Sequence, residues 1–144
     1  MLVEKVDRLT DEIFLAVQQL VPLLGAHKPV PTRDDLSLLI SSGTSNLLIA
    51  RLDVGDSPVV GMLTVSLYRV PTGGRSIVED LVVDTKYRNK GIAKALVLAA
   101  IEITRDSGAN GVALTSNFQR VEANQLYVSM GFKKRETNAY FFEL

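Results

Sequence analysis

The run Val82-Val83-Asp84-Thr85-Lys86-Tyr87-Arg88-Asn89-Lys90-Gly91-Ile92-Ala93-Lys94-Ala95-Leu96 passes from strand to helix, and the architecture of the chain turns on it. An apolar strand ends at Val83, a short basic loop follows, and a long helix opens at a glycine. The first turn of a helix carries backbone N–H groups without partners, and the helix dipole adds positive potential there. Gly91 lets the backbone approach a ligand, and Ala93 keeps a nearby position small. Arg88, Lys90 and Lys94 add charge around the opening. Together, Arg88 to Lys94 have the makings of a pyrophosphate cradle, although the same residues also suit an ordinary helix start. The Gly-x-x-x-x-Gly-Lys-Ser/Thr phosphate loop is absent, and the three-glycine dinucleotide fingerprint has only Gly91 to offer.

Upstream of this run, Leu2 to Asp7 is expected as a short strand. Thr10 then caps a helix whose Ile13, Val17, Leu20, Val21 and Leu24 share one face, with Pro22 and Gly25 at its end. A second short helix is expected after Thr32, with Leu36, Leu39 and Ile40 inward and Gly43 as its stop. Asn46–Val54, Val59–Tyr68 and Ser76–Val83 read as strands joined by Gly55-Asp56-Ser57-Pro58 and Pro71-Thr72-Gly73-Gly74. Connections that short imply an antiparallel meander.

Downstream, Lys90–Ser107 is the longest helix, with Gly108 as its left-handed terminator. Val112–Thr115 follows as a short strand, parallel to Ser76–Val83 because a helix crosses between them. A last helix spans Arg120–Met130 and ends at Gly131. Phe132–Arg135 and Asn138–Glu143 are expected to pair as a closing hairpin. No repeat or linker interrupts the chain, so residues 1–144 read as a single α+β domain.

Composition narrows the function. The chain has 144 residues, and sixteen Lys+Arg balance sixteen Asp+Glu. A nucleic-acid binder usually carries a basic excess, so that class is disfavoured. The absence of cysteine rules out disulfides, thiolate metal sites and a Cys nucleophile. The single histidine, His27, sits in a Gly-Ala-His-Lys-Pro loop and reads as a surface residue, so no metal centre is expected. Charged Glu4, Lys5, Asp7 and Arg8 interrupt the opening, and no apolar run reaches the roughly 20 residues that span a bilayer. No leader and no membrane segment are therefore expected, and the cytoplasm is the expected compartment.

Arg88-x-x-Gly91-x-Ala93 resembles the acyl-CoA signature of the GNAT N-acetyltransferase superfamily, Arg/Gln-x-x-Gly-x-Gly/Ala. The strand Ile77-Val78-Glu79-Asp80-Leu81-Val82-Val83-Asp84 precedes it as the family's fourth strand does. Arg120-x-x-Ala123-x-x-Leu126-Tyr127-x-x-x-Gly131-Phe132 resembles a second family motif. The likeness runs from about residue 59 to 135 and is looser before that. Ala93, where glycine is commoner, is a small departure.

The resemblance implies a mixed, mostly antiparallel sheet with helices on both faces, splayed where strands 76–83 and 112–115 diverge. It also implies an acetyl-CoA donor. The backbone of Leu81, Val82 and Val83 would meet the pantetheine arm like an added strand. The amides of Arg88, Asn89, Lys90, Gly91, Ile92, Ala93 and Lys94 would hold the pyrophosphate, while Asn117, Asn124 and Tyr127 lie near the thioester. Tyr127 matches the position that often supplies the acid. A phenol, with a reference pKa of about 10, is suited to protonate a thiolate of about 8.5.

Glu79 is the first candidate base and Asp80 the second, since an acidic pair is unusual inside an apolar strand. The pair also resembles that of some amino-sugar acetyltransferases. Strand alternation lets at most one of the two face the cleft, and a water relay is the alternative. Arg120 sits against the helix dipole, which hints at a partner elsewhere. The acceptor side falls to the first 50 residues and the 69–75 loop, where Arg33, Arg69 and Arg75 read as exposed. A small-molecule amine is the expected acceptor. A protein N-terminus or lysine, and a non-catalytic acyl-CoA-binding module, remain open. A homodimer would hide a sheet edge.

Overall fold

Leu47, Leu48, Ile49 and Ala50 are apolar at consecutive positions, so their strand buries both of its faces. The sheet built on it lies between two helical layers. The computed structural model describes residues 1–53 and 56–144. Strands β1 (Leu2–Lys5), β2 (Ser45–Arg51), β3 (Val59–Val70), β4 (Gly73–Val83) and β5 (Ala113–Leu114) form one sheet in the order β1-β2-β3-β4-β5. The first three pairings are antiparallel and β4–β5 is parallel. The expected strand end at Val54 and turn residue Gly55 lie outside the described residues.

Helices α1 (Asp11–Leu20) and α2 (Arg33–Ser41) cover one face, and α3 (Ile92–Asp106) and α4 (Val121–Ser129) the other. Thr10 caps α1 by accepting from the Ile13 N–H. Thr32 and Asp35 close a reciprocal capping box on α2. The alternation of β2 divides the core. Leu47 and Ile49 join Val17, Leu20 and Leu36 under α1 and α2. Leu48 and Ala50 join Leu63, Val65, Leu96, Val97 and Tyr127 under α3 and α4.

Two features of the sheet position the site. A Cβ on Gly61 would stand 3.1 Å from the Val82 carbonyl oxygen and 3.2 Å from Ile92 Cγ2, so glycine in β3 allows the first turn of α3 to sit tightly on the sheet. The second is a bulge. Met62 pairs with Val82 but Thr64 pairs with Glu79, so Asp80 and Leu81 together oppose Leu63. Asp80 takes the left-handed conformation, φ +51°. That is uncommon outside glycine and costs least for Asp and Asn.

The closing hairpin does not form. Residues 132–144 take no strand pairing, and Tyr140, Phe141 and Phe142 are exposed. Lys133, Lys134, Arg135 and Glu136 give the segment no apolar alternation to bury. The β5 edge, two residues long, gives it little ladder to extend.

Candidate active site

β4 and β5 pair only at Ile77–Ala113 and Val78–Leu114. Beyond Val78 the edge of β4 has no strand partner, which is the splay expected from the sequence. Asp84 donates its N–H to the Val60 carbonyl, on the β3 side. By alternation, the backbone groups of Leu81 and Val83 point to the open side while those of Val82 face β3. Two side chains already reach that edge. Arg120 Nη2 donates to the Leu81 carbonyl at 3.5 Å, and Arg88 Nε donates to the Val83 carbonyl at 3.3 Å. The partner that Arg120 was expected to have is thus the strand across the gap.

The edge runs on into the helix start. A single 3-10 turn, Thr85–Tyr87, leads to Asn89 at φ +61° and Gly91 at φ +77°. Gly91 is the N-cap of α3 and provides no side-chain hydrogen bond. The first intrahelical bond is Ala95 N–H to the Gly91 carbonyl, so the N–H groups of Ile92, Ala93 and Lys94 are free. A Cβ built on Gly91 meets nothing within 4 Å, so the space before the helix is open. Arg88, Asn89, Lys90 and Lys94 are exposed around it, with Lys90 Nζ 5.6 Å from the centre of the Tyr87 ring.

Tyr127 enters from α4. It is 7% exposed, packs with Leu81 and Val83, and meets the Phe132 ring edge to face at 5.8 Å. Burial pushes its hydroxyl pKa up, partly offset by the Arg120 charge. Among the described residues the hydroxyl makes no hydrogen bond, so a protonated donor is left uncommitted. Asn117 and Asn124 shape the loop before α4. Asn124 Nδ2 donates to the Asn117 and Arg120 carbonyls at 3.0 and 2.9 Å, and Asn117 Oδ1 accepts from Gln119 N–H. Both amide hydrogens of Asn124 are therefore engaged within the protein, which leaves its carbonyl oxygen for a ligand.

The bulge separates the two acidic candidates without alternation, and both Glu79 and Asp80 are exposed. Asp80 lines a cleft of about 420 Å³ between the sheet and α1 and α2; Glu79 does not. Residues 69–75, expected as a loop on the acceptor side, are strand except for Pro71 and Thr72 between β3 and β4, and contribute no residue to this cleft. Arg33 pairs with Asp11 and lies over Phe14, and Arg75 donates to Thr72.

Ser116 escaped the sequence reading. Its Oγ is buried with no hydrogen-bond partner among the described residues, two positions beyond β5 in the chain. An unpartnered buried hydroxyl costs about 1–3 kcal/mol unless a ligand meets it. A lone serine between Thr115 and Asn117 carries no signal of that in the sequence.

A β4 edge without a strand partner that leads into an uncapped helix start with free amides suits a long, strand-like ligand that ends in phosphates. Residues 16–132 match the model of the Acetyltransferase (GNAT) family, and the chain belongs to that family. It is 36% identical over 85 residues to N-acetyltransferase 8B of Rattus norvegicus, a match covering 58% of this chain and 37% of that one. It is 45% identical over 62 residues to N-acetyltransferase 8 of Homo sapiens, covering 43% of this chain and 26% of that one. The chain thus matches well under half the length of these relatives.

The fold is that of solved acetyltransferases. An aminoglycoside acetyltransferase from an uncultured soil metagenomic sample superposes with a TM-score of 0.83 at 20% identity, covering 99% of this chain and 95% of that one. A Trypanosoma brucei acetyltransferase gives 0.75 at 22%, covering 98% and 99%. Among the described residues no group of acidic or histidine side chains is placed to hold a metal, and no helix is long and apolar enough to cross a membrane.

Proposed function

We propose that this chain is an N-acetyltransferase that moves an acetyl group from acetyl-CoA directly to the primary amine of a small molecule. One observation carries the reading: the unpaired edge of β4 beyond Val78 leads straight into the uncapped N-terminus of α3. An extended amide chain ending in a pyrophosphate needs those two features in that order. The backbone of Leu81 and Val83 would hold the pantetheine. The free amides of Ile92, Ala93 and Lys94, ringed by Arg88 and Lys90, would hold the phosphates. Acetyl-CoA supplies an activated acetyl thioester.

The protein's share of the chemistry is proton handling and placement. The acceptor nitrogen must be neutral to attack, so a base must take its proton. Asp80 is the better placed of the two carboxylates, because it alone lines the cleft where an amine can sit. The Tyr127 side chain is buried, and its hydroxyl, uncommitted and still protonated at neutral pH, would serve as the acid. A cleft of about 420 Å³ falls in the range of small-molecule sites and favours a small amine over a run of peptide.

Thiol release from acetyl-CoA in the presence of an amine panel tests the proposal. Turnover that depends on both the amine and Tyr127 supports it. Tight CoA binding with no turnover on any amine, peptide amines included, would leave a binding module instead.

A further inference from the structure

We infer that the acceptor is a small primary amine carried on an apolar body, seated in the cleft under α1 and α2 with its ammonium on the Asp80 carboxylate. This rests on the N-acetyltransferase reading and narrows it to one class of acceptor. The cleft walls come from elements far apart in sequence: Val17 and Val21 on one side, Leu36 and Leu39 on another, and Leu47 and Met62 on the sheet. None of these side chains has a hydrogen-bonding group. The polar side chains of the lining are Lys28, Asp35, Thr64 and Asp80.

Their commitments differ. Asp35 Oδ2 accepts from both the N–H and the hydroxyl of Thr32, which close the cap of α2. Those bonds also pull its carboxyl below the usual range, the backbone bond foremost. Lys28 is exposed at the rim. Asp80 makes no hydrogen bond or ion pair among the described residues. Its left-handed backbone, at the bulge where β4 loses β5, holds the carboxylate beside the open strand edge. An unpaired carboxylate in the lining of a largely apolar cleft suits a cation carried on an apolar molecule. A polyhydroxylated amino sugar would leave most of its hydroxyls facing Val, Leu and Met side chains, at a cost per unpaired group.

The experiment is a binding series on the intact chain, with and without saturating CoA, using ethylamine through hexylamine, glucosamine, hexanol and hexanoate. Affinity should rise about fourfold per methylene from ethylamine to hexylamine. Hexylamine should bind more than about tenfold tighter than glucosamine, hexanol or hexanoate, a preference of the size expected for a charged partner. Asp80→Asn should erase the preference for hexylamine over hexanol. Leu39→Ala, at a half-buried position, should weaken hexylamine about tenfold and leave ethylamine unchanged. A flat chain-length series, or tighter binding of glucosamine or hexanoate, overturns the inference, and this arm needs no variant to fold.

The two readings fail separately. A chain that binds CoA but shows no chain-length dependence keeps the transferase and loses this acceptor class. A chain that shows the dependence but binds no CoA keeps the amine cleft and loses the transferase.

Discussion

The two faces of the bulged β4 strand are built by opposite means. On the open-edge side, one continuous stretch, Glu79 to Leu96, provides a strand edge without a strand partner, a turn and a helix start. The ligand-binding capacity proposed for it is nearly all backbone. On the α1/α2 side, the cleft is assembled from side chains between Val17 and Asp80, on α1, the 3-10 turn that follows it, α2, β2, β3 and β4. A backbone site of local origin tolerates most side-chain changes and fails where geometry is special. A side-chain site of distant origin responds to each wall residue separately.

That contrast sets the order of the expected effects. Gly91→Glu should be the most damaging to the donor side. A side chain at φ +77° costs about 1–2 kcal/mol, and a carboxylate before the helix start repels phosphate. Acetyl-CoA affinity should fall more than about 100-fold by calorimetry, while amine binding in the cleft is unchanged. A loss of both would mean that the two sides are not independent.

Tyr127→Phe should lower kcat about 100-fold with CoA affinity unaltered, the low end for a general acid. Because burial raises the Tyr127 pKa, its hydroxyl stays protonated through neutral pH. Any alkaline loss of kcat from this group should begin above pH of about 10, and a loss that survives in the Phe variant belongs to another group. Asp80→Asn should lower kcat/KM for amines about tenfold or more without touching CoA, and Glu79→Gln should do much less. Equal effects of the two would return the base to the uncertainty that the sequence left.

The smallest effect expected is one of stability. Arg51, 8% exposed, binds Glu12 at 2.5 Å, Glu4 at 3.4 Å and the Ser57 carbonyl, tying α1 to the sheet. The hydrogen bond from Arg51 holds the Glu12 carboxyl below its ordinary value of 4.5. The unfolded chain therefore takes up that proton first. The stabilisation is present above about pH 4.5 and is lost as pH falls through the lower folded value. Glu12 is more than half exposed, so Glu12→Gln should cost no more than about 1 kcal/mol at pH 7 in urea unfolding. That difference should shrink toward zero as pH falls through the folded value. A difference that persists in acid would mean that packing, not charge, ties α1 down.

The strand, turn and helix start proposed to hold the donor were legible because their signals are local: Val82 and Val83, the basic loop, Gly91 and the Ile92–Leu96–Ala100 spacing lie within one short stretch. The splay followed from family resemblance, and the structure bears it out in the two-residue pairing of β5. The bulge was not legible. Strict alternation put only one of Glu79 and Asp80 in the cleft's direction, but nothing in the residues themselves announces that Asp80 adopts a positive φ. The pairing register with β3 decides it. The closing hairpin expected of Phe132–Arg135 and Asn138–Glu143 did not form, because a two-residue β5 gives it little edge to build on. The acceptor cleft lay out of reach because Val21, Leu39 and Met62 become neighbours only after the sheet and helices have packed.

Titration calorimetry of the intact chain with acetyl-CoA and desulfo-CoA, repeated on Gly91→Glu, tests the central claim most directly. The account predicts binding of both ligands by the intact chain, since the contacts are to pantetheine and phosphates, and no binding of either by the variant. Absence of binding to the intact chain, or undiminished binding to a folded Gly91→Glu variant, would contradict it.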